Sequence, residues 1–408
     1  KRAAQGPWTV IHMCILRVIV LNAGIHAGAI IPIGMLPLEG DVQALMPADP
    51  EPIAPGGNGG CKHVRLPNSC EDYPVHRMPK KVIREPVPVP EWEPPKWAPL
   101  LRHTRVVNRI FVGSCNSQTK DQSFWNTLAS MGADLSILLG DNVYGDCTLD
   151  GDCTDLETAY ANLSRSDAFR NFAEAIPVVA TWDDHDFGLN DAGADVPWKH
   201  VAKAHFLKFF GIPSTDARAQ PEHGVQSAFL IGPPNQTLQV ILLDLRWYKT
   251  KLLDSPYEDM EGYERYIPSF DPDVDMLGEE QWTWLEEQLR RPAHIRLIGT
   301  SIQLLSMSHG FESWHAAPLQ RDRLIRLIGH ATPRPYVLSG DRHRGAIYQY
   351  KHITEMTASS FTNSMWGSPG KYELKDPLRV GDMVGVNNVG VIDLNWEEHT
   401  ASMYLTPL

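Results

Sequence analysis

Between residues 181 and 191 the chain places four carboxylates (Asp183, Asp184, Asp186 and Asp191), one imidazole (His185) and one side-chain amide (Asn190). The preceding run, Ile176 to Ala180, reads as a short buried strand. Acids gathered at the end of such a strand repel one another and lose hydration, so something positive has to sit among them. Two or more metal ions would do so, and hard oxygen donors with one histidine suit Fe, Mn, Zn, Mg or Ca. A solvated acidic turn is the competing account of this stretch taken alone.

The pattern recurs. Residues 136–139 are apolar and lead into Gly140, Asp141, Asn142, Val143 and Tyr144. Residues 335–339 lead into Gly340, Asp341, Arg342 and His343, and residues 106–112 into Gly113, Ser114, Cys115 and Asn116. Four strand ends would each deliver a potential ligand, which is where open α/β sheets gather their active sites.

The elements that must hold these ends alternate from residue 105 onward. Residues 121–131 place Phe124, Leu128 and Met131 on one helical face, and Thr154 to Glu157 reads as a capping box opening a helix through Tyr160 and Leu163. Residues 196–210 continue the helical pattern, and 224–231 with 238–244 predict a hairpin around Gly232 to Gln236. Residues 279–290 predict a helix with Trp282, Leu285 and Leu289 in register as core packing. A strand at 295–299, a helix at 319–328 ended by Gly329, and strands from 348 onward, including 389–394 and 400–405, complete the reading.

The 408 residues, 43% of them hydrophobic, permit one large core plus appendages. A net charge of −12 argues against a nucleic-acid binder, a polyanion-binding module and a polybasic peripheral membrane protein. Residues 1–40 form a possible signal or leader: an apolar run from Met13, broken by Asn22 and His26, which predicts no transmembrane anchor beyond it. Residues 41–104 read as an extension with a proline-rich connector at 74–99, against which Trp92 and Trp97 would pack, and 105–408 as the catalytic domain. Cys61 with Cys70, and Cys147 with Cys153, enclose short loops that suit disulfides, leaving Cys14 and Cys115. With the sequons at Asn162 and Asn235, these features predict a secreted or otherwise exported protein, reduced core cysteines being the alternative.

The blocks at 113–116, 140–146, 181–186, 241–246 (Ile-Leu-Leu-Asp-Leu-Arg) and 338–343 (Leu-Ser-Gly-Asp-Arg-His) stand in the order seen in the PhoD-like alkaline phosphatases and phosphodiesterases. Residues 299–303 and 355–360 resemble further blocks of that family, so the resemblance spans roughly residues 105–365. It implies the α/β metallophosphoesterase fold, a four-layer sandwich of two mixed β-sheets flanked by helices. It also implies a metal-dependent hydrolase of phosphate monoesters or diesters, acting on a small phosphate ester or a phospholipid-type substrate.

The family's metals are ferric iron and calcium, with Zn, Mn or Mg as alternatives. By this resemblance Cys115, Asp141, Tyr144 and His343 surround the iron, Asp141 bridges, and Asp184 and Asp341 serve the second ion. Paired metals would polarise the phosphoryl group and furnish hydroxide for in-line attack on phosphorus. His185, oriented by Asp186, would protonate the leaving oxygen, a structural hydrogen-bonded pair being the alternative. Arg246, Arg342 and Arg344 are candidate phosphate binders or salt-bridge partners. Asp183 is a candidate calcium ligand or an acceptor behind the ligands. Asn190 and Asp191 would close a further cation site or form a plain Asx turn, and His309 and His315 are candidates for shaping the pocket. A non-catalytic, cation-stabilised extracellular protein with the same fold is the rival reading of function.

Overall fold

The computed structural model describes residues 17–18, 104–257, 260–364, 375–398 and 400–408. The rest of the leader, the connector with Trp92 and Trp97, and Cys14, Cys61 and Cys70 lie outside the described residues. Among the described residues, thirteen strands form two sheets. In the first, β1 (Arg17–Val18), β13 (Thr400–Pro407), β12 (Asn388–Asn395), β2 (Arg109–Gly113), β3 (Leu135–Leu139) and β4 (Val178–Thr181) lie side by side in that order. In the second the order is β11 (Arg379–Val384), β9 (Gly345–Tyr350), β10 (Ile353–Ala358), β8 (Tyr336–Ser339), β7 (Ile295–Gly299), β6 (Leu238–Leu242) and β5 (Ser227–Ile231). β2, β3 and β4 run parallel, as do β6, β7 and β8, while β5 pairs antiparallel with β6 as the expected hairpin.

Strand alternation explains the layering. Ile110 and Val112 of β2, with Leu135, Ile137 and Leu139 of β3, join Leu238, Val240 and Leu242 of β6 in the core between the sheets. The intervening Phe111 and Leu138 point the other way, into the helices α1 (Phe124–Met131), α2 (Thr154–Arg165), α3 (Asp167–Ala175) and α5 (Lys199–Phe209). On the far side, Ile241, Ile298 and Val337 pack beneath α6 (Gly278–Leu289) and α7 (Pro318–Gly329). The result is the expected helix–sheet–sheet–helix sandwich, because the central strands β3, β6 and β7 bury both faces. At Gly299 the sheets approach so closely that a Cβ would lie 2.7 Å from Leu242 and 2.8 Å from Leu139.

Two local expectations are corrected. Strand β2 starts at Arg109, later than residue 106, because Asp134 accepts from the backbone N–H groups of Asn108 and Arg109. Thr154 caps nothing: it is the first helical residue of α2, and its N–H and hydroxyl both donate to Asp152. Cys147 and Cys153 are bonded to each other, with Cα atoms 4.2 Å apart. No described helix is long and apolar enough to cross a membrane.

Candidate metal centre

The loops leaving β2, β3, β4 and β8 converge at the carboxyl ends of their strands. Gly140 makes the first turn with φ of 107°, and a Cβ there would lie 2.4 Å from the side chain of Asp183. The residues that follow such turns adopt left-handed backbone: Cys115 (φ 60°), Asp141 (47°), Asp191 (55°), Asp341 (67°) and His343 (53°). Non-glycine residues keep this conformation where the surroundings impose it, and such sites cluster where function needs them. Here the loops impose it on each other, since Cys115 N donates to Gly140 O at 3.3 Å and Asn116 N to Asp141 O at 2.8 Å.

The side chains meet accordingly. Tyr144 donates its hydroxyl to Asp141 Oδ2 at 2.9 Å and stands 3.0 Å from His343 Nε2; Cys115 Sγ lies 3.6 Å from the same carboxylate oxygen. Four groups of donor atoms lie within 4.8 Å of one another: Cys115, Asp141 and His343; Asp141, Asp184 and His185; Asp183, Asp184 and Asp341; Asp184, Asp191 and Glu312. The first two groups share Asp141 and the last three share Asp184, so the six expected ligands form one continuous cluster with Tyr144 at its edge.

Electrostatics show what the cluster lacks. Burial, then the Asp184 and Asp183 charges, push Asp141 well above the ordinary carboxylate range. Burial and Asp184 carry Asp341 up to about 8, and burial with Asp141 raises the Cys115 thiol and the Tyr144 phenol. Burial alone would raise Asp184, but Arg246, His185 and the Asp191 N–H hold it below its usual range. Burial, with Arg342 beside it, lowers His343 to about 4, leaving the neutral imidazole that coordinates metals. Asp183 Oδ2 is buried and accepts no hydrogen bond from the described residues. The protein's own cations therefore under-compensate these donors, and metal ions fit the deficit. Thiol, phenol and imidazole around one point suit a highly charged ion that ionises them, and the all-carboxylate group suits a hard divalent ion.

The remaining expected residues take different places within and around this cluster. His185 sits in the first turn of α4 (Asp184–Phe187), its ring 4.3 Å from that of Tyr144 and its Nδ1 3.4 Å from Asp146 Oδ1. Asp186 does not orient it. The wholly buried Asp186 carboxylate accepts from Asn142 N, Asn142 Nδ2, Tyr160 OH and Asp183 N, and burial raises it to about 6. Its part is to fix the turn after β3 against α4.

Arg246 is also wholly buried, donating to Asp183 Oδ1 at 2.7 Å and Glu312 Oε2 at 2.6 Å. Arg342 stacks on the Phe311 ring at 4.4 Å, and Arg344 donates to Arg342 O; both are buried. Asp191 joins the fourth donor group, whereas Asn190 is exposed. His309 is buried against Gln303 Oε1 at 2.8 Å.

Two contributors carry no motif. Glu312 follows no strand end, yet its buried carboxylate completes the fourth donor group and pairs with Lys249 Nζ at 2.7 Å. Asn363 places Nδ2 3.3 Å from His343 Nε2 and accepts from Lys120 Nζ through Oδ1. The single signal for Asn363 was its place just beyond the block at 355–360.

A family model described as PhoD-like phosphatase matches residues 110–371, a range that contains every site residue named above. Among solved structures, that of PhoD is 19% identical, with a TM-score of 0.55 over 72% of this chain and 66% of that one. The chain thus spans just under two thirds of that protein's length. GAP50 of Plasmodium, described as the anchor in the inner membrane complex, is 12% identical with a TM-score of 0.45, covering 71% of this chain and 82% of that chain. No curated protein sequence matches the chain significantly.

Proposed function

We propose that this chain, which belongs to the PhoD-like phosphatase family, hydrolyses phosphate monoesters, diesters or both in a metal-dependent reaction. The observation that carries the reading is the shared carboxylate, Asp141, standing between the Cys115–His343 group and the Asp184–His185 group. One carboxylate common to two donor sets is what a pair of ions held at a fixed separation requires. Cys115, Asp141, Tyr144 and His343 would hold ferric iron; Asp141, Asp184 and Asp341 would hold calcium, with Zn, Mn or Mg as alternatives in the carboxylate groups. Bound there, the ions draw charge from the phosphoryl oxygens and acidify a water molecule towards neutral pH.

The chain's own residues do the rest. Asp183, through Arg246, and Asp186, through Asn142, fix the loops that carry the ligands. His185 lies at the edge of the shared carboxylate with its ring partly exposed. From there it delivers the proton that the leaving oxygen takes up as the P–O bond breaks. Asp146 Oδ1 lies 3.4 Å from Nδ1 without a hydrogen bond between them. The Cys147–Cys153 bond supports an exported protein, since disulfides persist in oxidising compartments.

Turnover of p-nitrophenyl phosphate and its bis ester, with and without chelator, tests the reading. Hydrolysis that chelator abolishes and metal restores is expected, with Asp141→Ala losing most of it. Chelator-insensitive turnover would overturn the metal assignment. No turnover of either ester by metal-replete protein would favour a non-catalytic, cation-stabilised protein.

A further inference from the structure

Beyond β6 the chain carries a cation at the edge of the metal centre that no step above uses. Residues 253–255 pair antiparallel with residues 265–267: Ser255 N donates to Arg265 O at 2.7 Å, Ile267 N to Leu253 O at 3.1 Å, and Asp254 bridges Tyr266. This hairpin docks on Gly310. Arg265 N and Tyr266 N both donate to Gly310 O, at 3.1 and 2.7 Å, and Gly310 N donates to Glu264 Oε2 at 2.6 Å. A Cβ at residue 310 would come within 2.5 Å of Glu264 N, so the close approach requires glycine.

Docking sets Arg265 beside the centre. Its Nη1 donates to Asp191 Oδ2 at 2.7 Å, and Asp191 N in turn donates to Asp184 Oδ2 at 2.7 Å. Its guanidinium carbon stands 5.6 Å from the centre of the Phe311 ring, which also supports Arg342. Arg265 differs from the buried Arg246, Arg342 and Arg344 because its side chain is 45% exposed. Its Nε and Nη2 donate to no described residue.

An ordinary surface ion pair would serve to hold the hairpin, yet three hydrogen bonds to Gly310 already do that. Nor does Asp191 depend on it, because Tyr266 OH donates to the same oxygen at 2.9 Å. What remains is a guanidinium fastened along one edge and open along the other. Such a group binds an anion with little further loss of side-chain freedom, and its fork matches carboxylate and phosphate oxygens. Asp191 stands between Arg265 and Asp184, so the guanidinium lies at the rim of the donor cluster and not within it.

We propose that Arg265 reads a second anionic group on the substrate, a carboxylate or phosphate carried by the leaving alcohol, so that doubly anionic esters are preferred. The inference rests on the hydrolase reading above. It is tested by kcat/KM of the metal-replete enzyme for 4-carboxyphenyl phosphate, 4-(phosphonomethyl)phenyl phosphate and 4-carbamoylphenyl phosphate, whose para group is uncharged. The wild type should favour the anionic esters by about tenfold or more, the range expected of a charge-assisted hydrogen bond. The larger of the two preferences identifies the anion.

Arg265→Ala should bring the ratios close to one, chiefly through KM, and Arg265→Lys should restore part of them by returning charge without the fork. Where the alanine variant does not fold, Arg265→Gln, which keeps a donor for Asp191, decides the matter by the same ratios. Turnover of the carbamoyl ester without any preference in the wild type overturns this inference alone, as does an equal loss on all three esters in a folded variant. Failure to hydrolyse any of the three while bis(p-nitrophenyl) phosphate is turned over overturns this inference alone, and failure on that ester and on p-nitrophenyl phosphate as well overturns both readings.

Discussion

Replacing Arg246 with Met is expected to destabilise the protein without weakening its hold on substrate. Arg246 is 0% exposed; Nε donates to Asp183 Oδ1 at 2.7 Å, Nη2 to Glu312 Oε2 at 2.6 Å and Nη1 to Ala192 O at 3.2 Å. Methionine fills much of the same space but leaves two carboxylates, each 1% exposed, short of positive charge. Removing one partner from a buried ion pair costs about 3–5 kcal/mol. Lys249 Nζ, 2.7 Å from Glu312 Oε1, still compensates that carboxylate. Among the described residues Asp183 has no such second partner, so a cation bound beside it decides the rest. The loss should therefore sit near about 3 kcal/mol in metal-replete protein and near about 5 kcal/mol after chelation. Urea titration of wild type and variant, with and without chelator, measures both values, and KM for p-nitrophenyl phosphate is read alongside. An unchanged denaturation midpoint together with a KM raised several-fold would refute the reasoning and return the guanidinium to the substrate.

Oxidised, iron-loaded protein should be coloured by charge transfer from thiolate or phenolate. Tyr144→Phe should shift or weaken the band while the fold survives, and Cys115→Ser should weaken iron retention more, because a hydroxyl ionises less readily than a thiol; a colourless, iron-free, fully active enzyme contradicts the assignment. His185→Ala should slow esters with poor leaving groups more than activated aryl esters, which leave without a proton; equal slowing would assign His185 to metal placement. Burial, with Arg321 beside it, holds His315 at about 4, below the 6.5 of a free imidazole. Between those values the unfolded chain binds more protons, so this contribution is complete above about pH 6.5 and is lost as pH falls towards 4. His315→Gln should flatten that acid limb in thermal melts, and an unaltered limb would show that other groups set it.

Much of the site was legible because its donors sit in short blocks at strand ends. Asp141, Asp184 and Asp341 each follow a run of buried strand residues by one or a few positions, and the sheet gathers such ends on one side. Within β2 the two-residue period sends Ile110 and Val112 into the core between the sheets and Phe111 to the helices, but all three are apolar, so only the fold shows which face is which. The donor blocks are local, and local chemistry is what a sequence carries.

Burial and pairing across the chain are not local. Arg246 reads as a phosphate binder because sequence displays its charge, whereas the fold seals it between Asp183 and Glu312, partners 63 and 66 positions away. Asp186 reads as the partner of His185 because they are neighbours, yet successive residues of a helix point in different directions. The α4 turn accordingly sends Asp186 to Tyr160 and Asn142 and leaves His185 beside Asp146. Glu312 and Arg265 lie in loops without a motif and reach the centre because a glycine, Gly310, lets a distant hairpin dock against the chain that carries Glu312. Sequence determined which atoms could bind metal; tertiary structure decided which charges face the site and which are consumed in holding it together, since that depends on partners brought together only by folding.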